Sequence, residues 1–411
     1  MSKPESDPGP EPGAAQLSLP PLSLYVHIPW CVRKCPYCDF NSHAAGETLP
    51  EADYVQQLRR DLHSQLPWVQ GRRLSSIFFG GGTPSLFSAA AIADILGAAE
   101  ELIGFTRDIE ITLEANPGTF EQQKFAGYRD AGVNRLSIGV QSFDAQQLDN
   151  LGRIHSGAEA AGALAMARRA GFDNINLDLM HGLPQQTEAE ALADLERAVD
   201  LAPEHISWYQ LTIEPNTAFY SAPPLVPGPA HIVSMQGAGR DLLARNGYHR
   251  YEVSAYAREG REARHNLNYW GFGDYLGIGA GAHGKLTLPG EGRVVRTRRT
   301  RAPRHYLALA GGRDGLLPAP QGEAVAKEEL PLEFLMNALR LVRGVPVDVF
   351  KRYTGLPLSA LAAVWPALEQ MELVEPLDSR VAASVFGFDY IDEILQRFLE
   401  QPQKRPNSSR P

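Results

Sequence analysis

The chain has 411 residues, a length that predicts one large domain and one smaller one. Its hydrophobic content of 44% is typical of a globular protein, and no stretch reaches the roughly 20 uninterrupted apolar residues that a membrane-spanning helix needs. With 39 basic and 48 acidic residues the formal charge is −9, which argues against nucleic acid and against an anionic lipid surface as partners. We therefore expect a small ligand or another protein as partner, and self-association stays open.

Both ends of the chain have the composition of disordered tails. Residues 1–21 are rich in Pro, Gly and Glu and lack the basic start and the apolar run of a signal peptide. Residues 401–411 are also polar and Pro-rich. The only cysteines are Cys31, Cys35 and Cys38, so no disulfide framework is available, which favours a reducing cytoplasmic location.

After the first tail, short β-rich runs alternate with amphipathic stretches. The predicted strands are 24–28, 76–79, 110–115, 135–140, 174–180 and 205–213. Apolar residues at helical spacing predict helices at 51–66, 89–103, 158–170 and 188–201. This alternation predicts an α/β fold with a parallel sheet and right-handed crossovers. Six units favour a partial (β/α)6 barrel over residues 22–230, although a doubly wound sheet would give a similar pattern.

Polar or Gly-rich residues follow four of the predicted strands. They occupy residues 80–84, 114–117, 141–143 and 178–184. In barrels and in open α/β sheets, ligands bind at the carboxyl ends of the strands. These four segments therefore predict one common site.

The last 180 residues follow a different pattern. Residues 231–325 are predicted to extend the barrel, and the Arg-rich segment from Arg293 to Arg304 is interpreted as the solvated face of a hairpin rather than as a site for propionates or an acidic partner. Helical patterns at 331–342, 347–354, 358–371 and 388–399 predict a small, mainly helical, winged-helix-like domain over residues 326–400. Because this domain has few basic residues, we do not expect it to bind DNA.

The three cysteines share a spacing of i, i+4 and i+7, which a helix would place on one face. Pro29 and Pro36 argue against a helix there, so the segment is interpreted as a loop folded around a ligand. Thiolates suit either an iron–sulfur cluster or zinc. For zinc, His27 or His43 would complete a Cys3His set.

The segment from Leu24 through the three cysteines to Phe40 resembles the opening of the coproporphyrinogen dehydrogenase-like branch of the radical S-adenosylmethionine (SAM) proteins. The resemblance extends from about residue 22 to 400. It implies a [4Fe–4S] cluster on Cys31, Cys35 and Cys38, with one iron left for SAM. Residues 80–84 resemble the SAM-binding loop of this branch, in which we expect glycines to let backbone amides approach the ligand. The positions that resemble SAM contacts are Tyr25, Tyr37, Gly81, Gly82, Thr83, Glu114, Gln141, Arg153 and Asp178.

Two features separate this chain from the dehydrogenases of that branch. Phe40 stands where those enzymes have a further cysteine, as in the HemW-type haem chaperones, which puts decarboxylation of coproporphyrinogen III in doubt. The sequence from His265 to Trp270 resembles the haem-associated signature of those chaperones and implies haem near His265, since imidazole is a common axial ligand.

Three function classes therefore stay open. They are a haem chaperone that binds a cluster and SAM and passes haem to an acceptor protein, a radical SAM porphyrinogen decarboxylase, and a zinc-stabilised protein without radical chemistry.

Overall fold

The computed structural model of the chain describes residues 17–46, 48–118, 123–310 and 317–400. The predicted C-terminal tail, 401–411, and most of the predicted N-terminal tail lie outside these ranges. Residues 17–21 are described: Leu17 is buried, and the Ser18 amide donates to the Arg352 carbonyl at 2.8 Å. The start of the described chain therefore contacts the C-terminal domain.

Twelve strands of the described chain form one mixed sheet, and two further strand pairs are small. The strands are β1 Leu22–Ile28, β2 Trp30–Cys31, β3 His43–Ala44, β4 Leu74–Gly81, β5 Phe105–Ala115, β6 Arg135–Gln141, β7 Ile175–His181, β8 His205–Gln210, β9 His249–Glu252, β10 Ala255–Ala257, β11 Asp274–Ile278, β12 His283–Leu288, β13 Arg293–Arg298, β14 Gln321–Ala324, β15 Val345–Pro346 and β16 Arg380–Val381.

The order of strands decides between the two predicted architectures. In the large sheet it is β14-β13-β12-β11-β1-β4-β5-β6-β7-β8-β10-β9. Strands β1, β4, β5, β6, β7 and β8 are parallel, and each is added beside the previous one. A doubly wound sheet reverses its strand order at a switch point, and the order of these six strands does not reverse. The predicted partial barrel of six βα units is confirmed, and the sequence did not predict that β11 adds a seventh parallel strand beside β1.

Helices pack against this sheet, and several of them begin at side-chain caps. Their bounds are Glu51–Ser64, Ala89–Leu102, Phe125–Asp130, Ala145–Asn150, Gly157–Arg169, Glu188–Asp200, Ala218–Ser221, Pro229–Arg245, Arg264–Trp270, Pro303–Leu307, Leu330–Ala338, Val347–Thr354, Trp365–Gln370 and Ile391–Leu399. Ser156 with Glu159, and Thr187 with Glu190, form capping boxes that fix two helix starts. None of the helices in the described ranges combines the length and the apolar character needed to cross a lipid bilayer.

The C-terminal domain has its own core and is mainly helical, as predicted. Phe334 packs on Phe350 within it and on Phe272 of the barrel extension, at ring-centroid distances of 5.1 and 5.2 Å. The small pair β15 and β16 is antiparallel.

Two details of the prediction are wrong. The expected helix 358–371 is divided into a 3-10 turn, Leu358–Ala360, and a helix that begins at Trp365. Pro366 has no amide hydrogen to donate to the preceding turn, so it fits only at a helix start. Arg299, expected on a solvated face, is 6% exposed and forms an ion pair with buried Asp61. The carboxylate of Asp61 offers the guanidinium a partner that water would otherwise supply.

Candidate functional site

The cysteine loop follows directly from β1. The short strand β2 pairs in parallel with β3, so residues 32–42 fold back between them. This segment is not helical, in agreement with the prediction from Pro29 and Pro36. Trp30 anchors the start of the loop by packing edge-on against Tyr54, with ring centroids 4.7 Å apart.

The Gly-rich segment after β4 packs against the same end of β1. The amide of Gly82 donates to the carbonyl of Ile28 at 2.8 Å, and the amide of Thr83 donates to that of Trp30 at 2.7 Å. A Cβ on Gly82 would lie 2.5 Å from the Trp30 carbonyl oxygen, and one on Gly81 would lie 2.6 Å from the His27 ring. Close packing of two strand ends therefore requires Gly81 and Gly82, and the amides of Gly82 and Thr83 are engaged with β1 and β2. The expected approach of backbone amides in this loop to SAM stays a prediction.

Each thiol has a polar neighbour. The Cys35 sulfur lies 3.7 Å from Arg153 Nη1, and the Cys38 sulfur lies 3.8 Å from the Ser42 hydroxyl. Cys31 is hydrogen-bonded by Thr83 and Ser42. Burial raises the pKa of the Cys31 and Cys38 thiols, so these groups favour a proton or a metal over a bare negative charge.

A cavity of about 440 Å³ opens beneath the loop at the carboxyl ends of the parallel strands. The structure brings eleven of the predicted site residues together around it: Cys31, Cys35, Cys38, Tyr37, Gly81, Gly82, Thr83, Glu114, Gln141, Arg153 and Asp178. Four strand-end segments, far apart in sequence, therefore converge on one space, as the barrel pattern predicts.

Two carboxyl groups face this cavity. Burial, together with the neighbouring charge of Asp178, raises the pKa of Glu114 to about 8, although the amide of Gly81 donates to its carboxylate. Burial also raises the pKa of Asp178, which accepts hydrogen bonds from Ser137 and Asn176, both at 2.8 Å. Burial disfavours the ionised form of both carboxyl groups. A cationic ligand in the cavity would stabilise that form by direct charge attraction, so these carboxyls suit such a ligand.

Arg153 and Gln141 also line the cavity. Arg153 Nη2 donates to the Asn116 side chain and to the Gly139 carbonyl, both at 2.7 Å. Among the described residues, buried Arg153 Nε has no acceptor, so this donor is left for a ligand. Tyr209 donates to Gln141 Oε1 at 2.7 Å, and the backbone of Gln141 adopts a φ of 68° beside a bulge in the pairing of β6 with β7.

Two predicted site residues lie away from this cavity. Tyr25 packs on Phe78, with ring centroids 6.3 Å apart, and its hydroxyl lies 2.9 Å from His27 Nδ1. His265, the predicted haem residue, lies on the helix Arg264–Trp270 and is 7% exposed. This helix packs inside the barrel at the amino ends of the strands, where the His265 ring contacts Phe78 with centroids 4.2 Å apart.

Glu110 of β5 holds the start of this helix. Its carboxylate accepts from the amides of Arg264 and His265, at 3.0 and 3.2 Å, and lies 3.1 Å from His265 Nδ1. Burial alone would raise the pKa of Glu110, but hydrogen bonding by His265 and the charge of Arg135 lower it to about 2. Burial lowers the pKa of His265, which is therefore held neutral beside an ionised glutamate.

The zinc alternative finds little support at the cysteine loop. Both ring nitrogens of His27 are engaged: Nδ1 with the Tyr25 hydroxyl and Nε2 with the Asn41 carbonyl, each at 2.9 Å. Within the described ranges, no three His, Cys, Asp or Glu side chains are gathered closely enough to hold a single metal ion. The three thiols instead share one wall of the cavity, and as the donor set they fit an iron–sulfur cluster.

Five polar residues that line the cavity were not named as predicted site residues. They are Arg33, Asn116, Ser137, Tyr209 and Ser254. Asn116 lies within the predicted strand-end segment 114–117, and Tyr209 lies at the carboxyl end of β8, so the strand-end rule could have named both. Arg33 lies in the cysteine loop itself. Ser137 and Ser254 carry no such signal.

Two protein-family models match this chain. The model of the radical SAM superfamily matches residues 25–198, and that of the HemN C-terminal domain matches residues 325–385. The solved structure described as coproporphyrinogen III oxidase (HemN) from Escherichia coli, a radical SAM enzyme, superposes with a TM-score of 0.77 at 24% identity, covering 94% of this chain and 91% of that one. The fold and the cysteine motif thus define a radical SAM protein.

Similarity to individual proteins is closer still. The protein named heme chaperone HemW from Haemophilus influenzae is 50% identical over 388 residues, which cover 93% of this chain and 99% of the relative. Its namesake from Escherichia coli is 51% identical over 340 residues, which cover 83% of this chain and 88% of the relative. The chain belongs to the HemW family of haem chaperones.

Proposed function

We propose that this protein is a haem chaperone that holds a [4Fe–4S] cluster, SAM and haem, and passes the haem to an acceptor protein. One observation carries the cofactor part of the proposal: the three cysteines and the strand-end polar residues meet around a single cavity. The names of the relatives support the haem part. We further propose that it works in the cytoplasm, because its cysteines are confined to the proposed cluster loop.

Cys31, Cys35 and Cys38 would hold the cluster, which when bound supplies one-electron chemistry to SAM. Ser42, Thr83 and Arg153 would hydrogen-bond the sulfurs and so tune the cluster's reduction potential.

SAM would occupy the cavity next to the cluster. Its cationic groups suit Glu114 and Asp178, and its carboxylate suits the Arg153 guanidinium, whose Nε has no acceptor among the described residues. Tyr37 lines the same cavity and offers an aromatic face to the adenine. Tyr25 would act from outside the cavity wall, through its hydrogen bond to His27.

Haem would bind at the helix Arg264–Trp270, where the His265 imidazole would hold its iron. Glu110 orients the imidazole through Nδ1, the arrangement that leaves Nε2 of a histidine to bind iron. The same helix carries three buried polar atoms without partners in the described chain: Asn268 Oδ1, the Tyr269 hydroxyl and Trp270 Nε1. Because orphaned buried groups are rare, their concentration in one short helix supports a ligand there.

Haem binding requires this helix to move outward, since the His265 ring is buried against Phe78. Titration of haem into anaerobically reconstituted wild type and His265→Ala tests the assignment. We expect weaker binding and a shifted Soret band in the variant, with its iron and sulfide content unchanged. His249→Ala, which removes an exposed histidine of the same barrel extension, is the matched control and should behave as wild type. Equal affinity and identical spectra in His265→Ala would remove His265 from the site.

A further inference from the structure

A hydrogen-bonded chain of buried side chains runs through the barrel from the cavity to the His265 helix. At the cavity end, Asn176 Nδ2 donates to Asp178 Oδ1 at 2.8 Å. Asn176 Oδ1 lies 2.6 Å from His205 Nδ1, and His205 Nε2 lies 2.9 Å from the Tyr251 hydroxyl. At the other end, Asn266 Nδ2 donates to the same hydroxyl at 2.9 Å. Asn266 is the residue after His265, so four hydrogen bonds connect the two proposed sites.

All donors of this chain point the same way. The amide oxygen of Asn176 can only accept, so His205 Nδ1 carries the proton, and a neutral His205 must then accept at Nε2 from Tyr251. Full burial keeps His205 neutral by lowering its pKa well below the usual value. The order of donation is therefore from Asn266 through Tyr251, His205 and Asn176 to the Asp178 carboxylate. Aligned hydrogen bonds polarise one another, so a change at one end alters the strength of the others.

The acceptor at the end of the chain is also a wall of the cavity. Asp178 has Ser137 and Asn176 as its polar partners, and burial disfavours its charge. A cationic ligand in the cavity would compete with Asn176 for this carboxylate. The hydrogen bonds from His205 to Asn176 and from Tyr251 to His205 would then weaken. The hydrogen bond between Asn266 and Tyr251, which restrains the helix Arg264–Trp270, would weaken with them. Release of that helix is the movement that haem binding requires.

We infer that this chain couples the two sites, so that SAM in the cavity raises the affinity for haem at the His265 helix. The inference rests on the proposed function and goes beyond it by naming how one ligand regulates the other. Tyr251 and His205 are positioning residues in this scheme, since the chain assigns them no contact with either ligand.

The test uses the full chain after anaerobic reconstitution, as wild type, Tyr251→Phe and Tyr248→Phe. Tyr251→Phe removes the one oxygen that joins His205 to Asn266. Tyr248→Phe removes a matched oxygen from a buried tyrosine nearby, which donates to the Pro203 carbonyl and lies off the chain. Haem is titrated with and without saturating SAM, and SAM binding is measured by equilibrium dialysis with and without haem.

In wild type and Tyr248→Phe we expect SAM to raise haem affinity about fivefold, the lower end of usual coupling, and haem to raise SAM affinity by the same factor. In Tyr251→Phe the factor should fall to about one while SAM binding alone persists. Amide hydrogen exchange at residues 264–270, measured without haem, should accelerate on SAM addition in wild type and in Tyr248→Phe only. Asn266→Ala cuts the chain at its next link and gives the same comparison should Tyr251→Phe fail to fold.

Each other outcome counts against a definite part of the reasoning. The coupling is overturned if SAM still raises haem affinity as much in Tyr251→Phe as in wild type. It is also overturned if SAM binds but leaves haem affinity and amide exchange unchanged, or lowers them. Both outcomes leave the proposed function standing. Absence of SAM binding to the reconstituted wild type overturns the proposed function, and the coupling with it.

Discussion

The buried carboxyl of Glu114 makes a quantitative prediction for the protein without its cofactors. Its pKa is about 8 in the folded protein, against 4.5 for an unperturbed glutamate. Below pH 4.5 the group is protonated in folded and unfolded chains alike. Between pH 4.5 and 8 the unfolded chain releases the proton while the folded chain keeps it. The wild type therefore loses stability across this window as the pH rises, and Glu114→Gln, which cannot ionise, does not.

The size of the effect follows from the shift. One pKa unit corresponds to about 1.4 kcal/mol, so Glu114→Gln should be more stable than wild type by roughly 3 kcal/mol at pH 7 and by little at pH 4.5. Above pH 8 the difference should level off. The assay is urea unfolding of the cluster-free protein, followed by circular dichroism at half-unit steps of pH. Glu196→Gln, an exposed position on the helix Glu188–Asp200, is the control and should change stability by under about 0.5 kcal/mol.

A stability difference between Glu114→Gln and wild type that stays constant from pH 5 to 8 would refute the reasoning, because it would mean that Glu114 ionises alike in the folded and unfolded chains. A difference of the opposite sign would place a cationic partner beside Glu114 in the cofactor-free state.

Three further predictions concern the cluster, the reaction and the helix at the amino ends of the strands. Cys31→Ala, Cys35→Ala and Cys38→Ala should each lose the cluster, and a variant that retained about four irons after anaerobic reconstitution would contradict the ligand assignment. The reconstituted wild type should not turn over coproporphyrinogen III, since Phe40 replaces the further cysteine of the dehydrogenases; accumulation of the divinyl product in chromatographic assays would contradict this. Glu110→Gln should destabilise the protein by roughly 3 kcal/mol at pH 7. Because the pKa of Glu110 is about 2 in the folded protein, this loss of stability should shrink as the pH falls from 4.5 towards 2. A loss that does not depend on pH in urea unfolding would contradict the prediction.

Much of the barrel could be predicted because its signals are local. Short β-rich runs followed by amphipathic helical patterns mark the βα units, and the strand-end rule then gathers residues such as Glu114 and Asp178 without knowledge of any contact. The sequence could not distinguish the partial barrel from a doubly wound sheet, because the two folds differ only in which strands are neighbours.

The environment of His265 could not be predicted either, because it also depends on contacts between residues that are far apart in the chain. The resemblance drew attention to His265 but not to its burial, and the carboxylate that hydrogen-bonds the buried ring belongs to Glu110, 155 residues earlier. Arg299 is a parallel case, since its partner Asp61 lies 238 residues away. A charged side chain is buried where it finds an oppositely charged partner, and a partner so far away in the chain produces no periodic pattern in the sequence.

The seventh parallel strand has a consequence for synthesis on the ribosome. Strand β1 leads into the cysteine loop, yet one of its two neighbours, β11, begins only at Asp274. At about 5–20 residues per second, translation leaves that edge of β1 unpaired for roughly 12 to 50 seconds. The nascent chain thus presents its three thiols beside an open strand edge long before the sheet is complete. Any factor that delivers iron and sulfide, or that shields the edge from aggregation, has that interval in which to act.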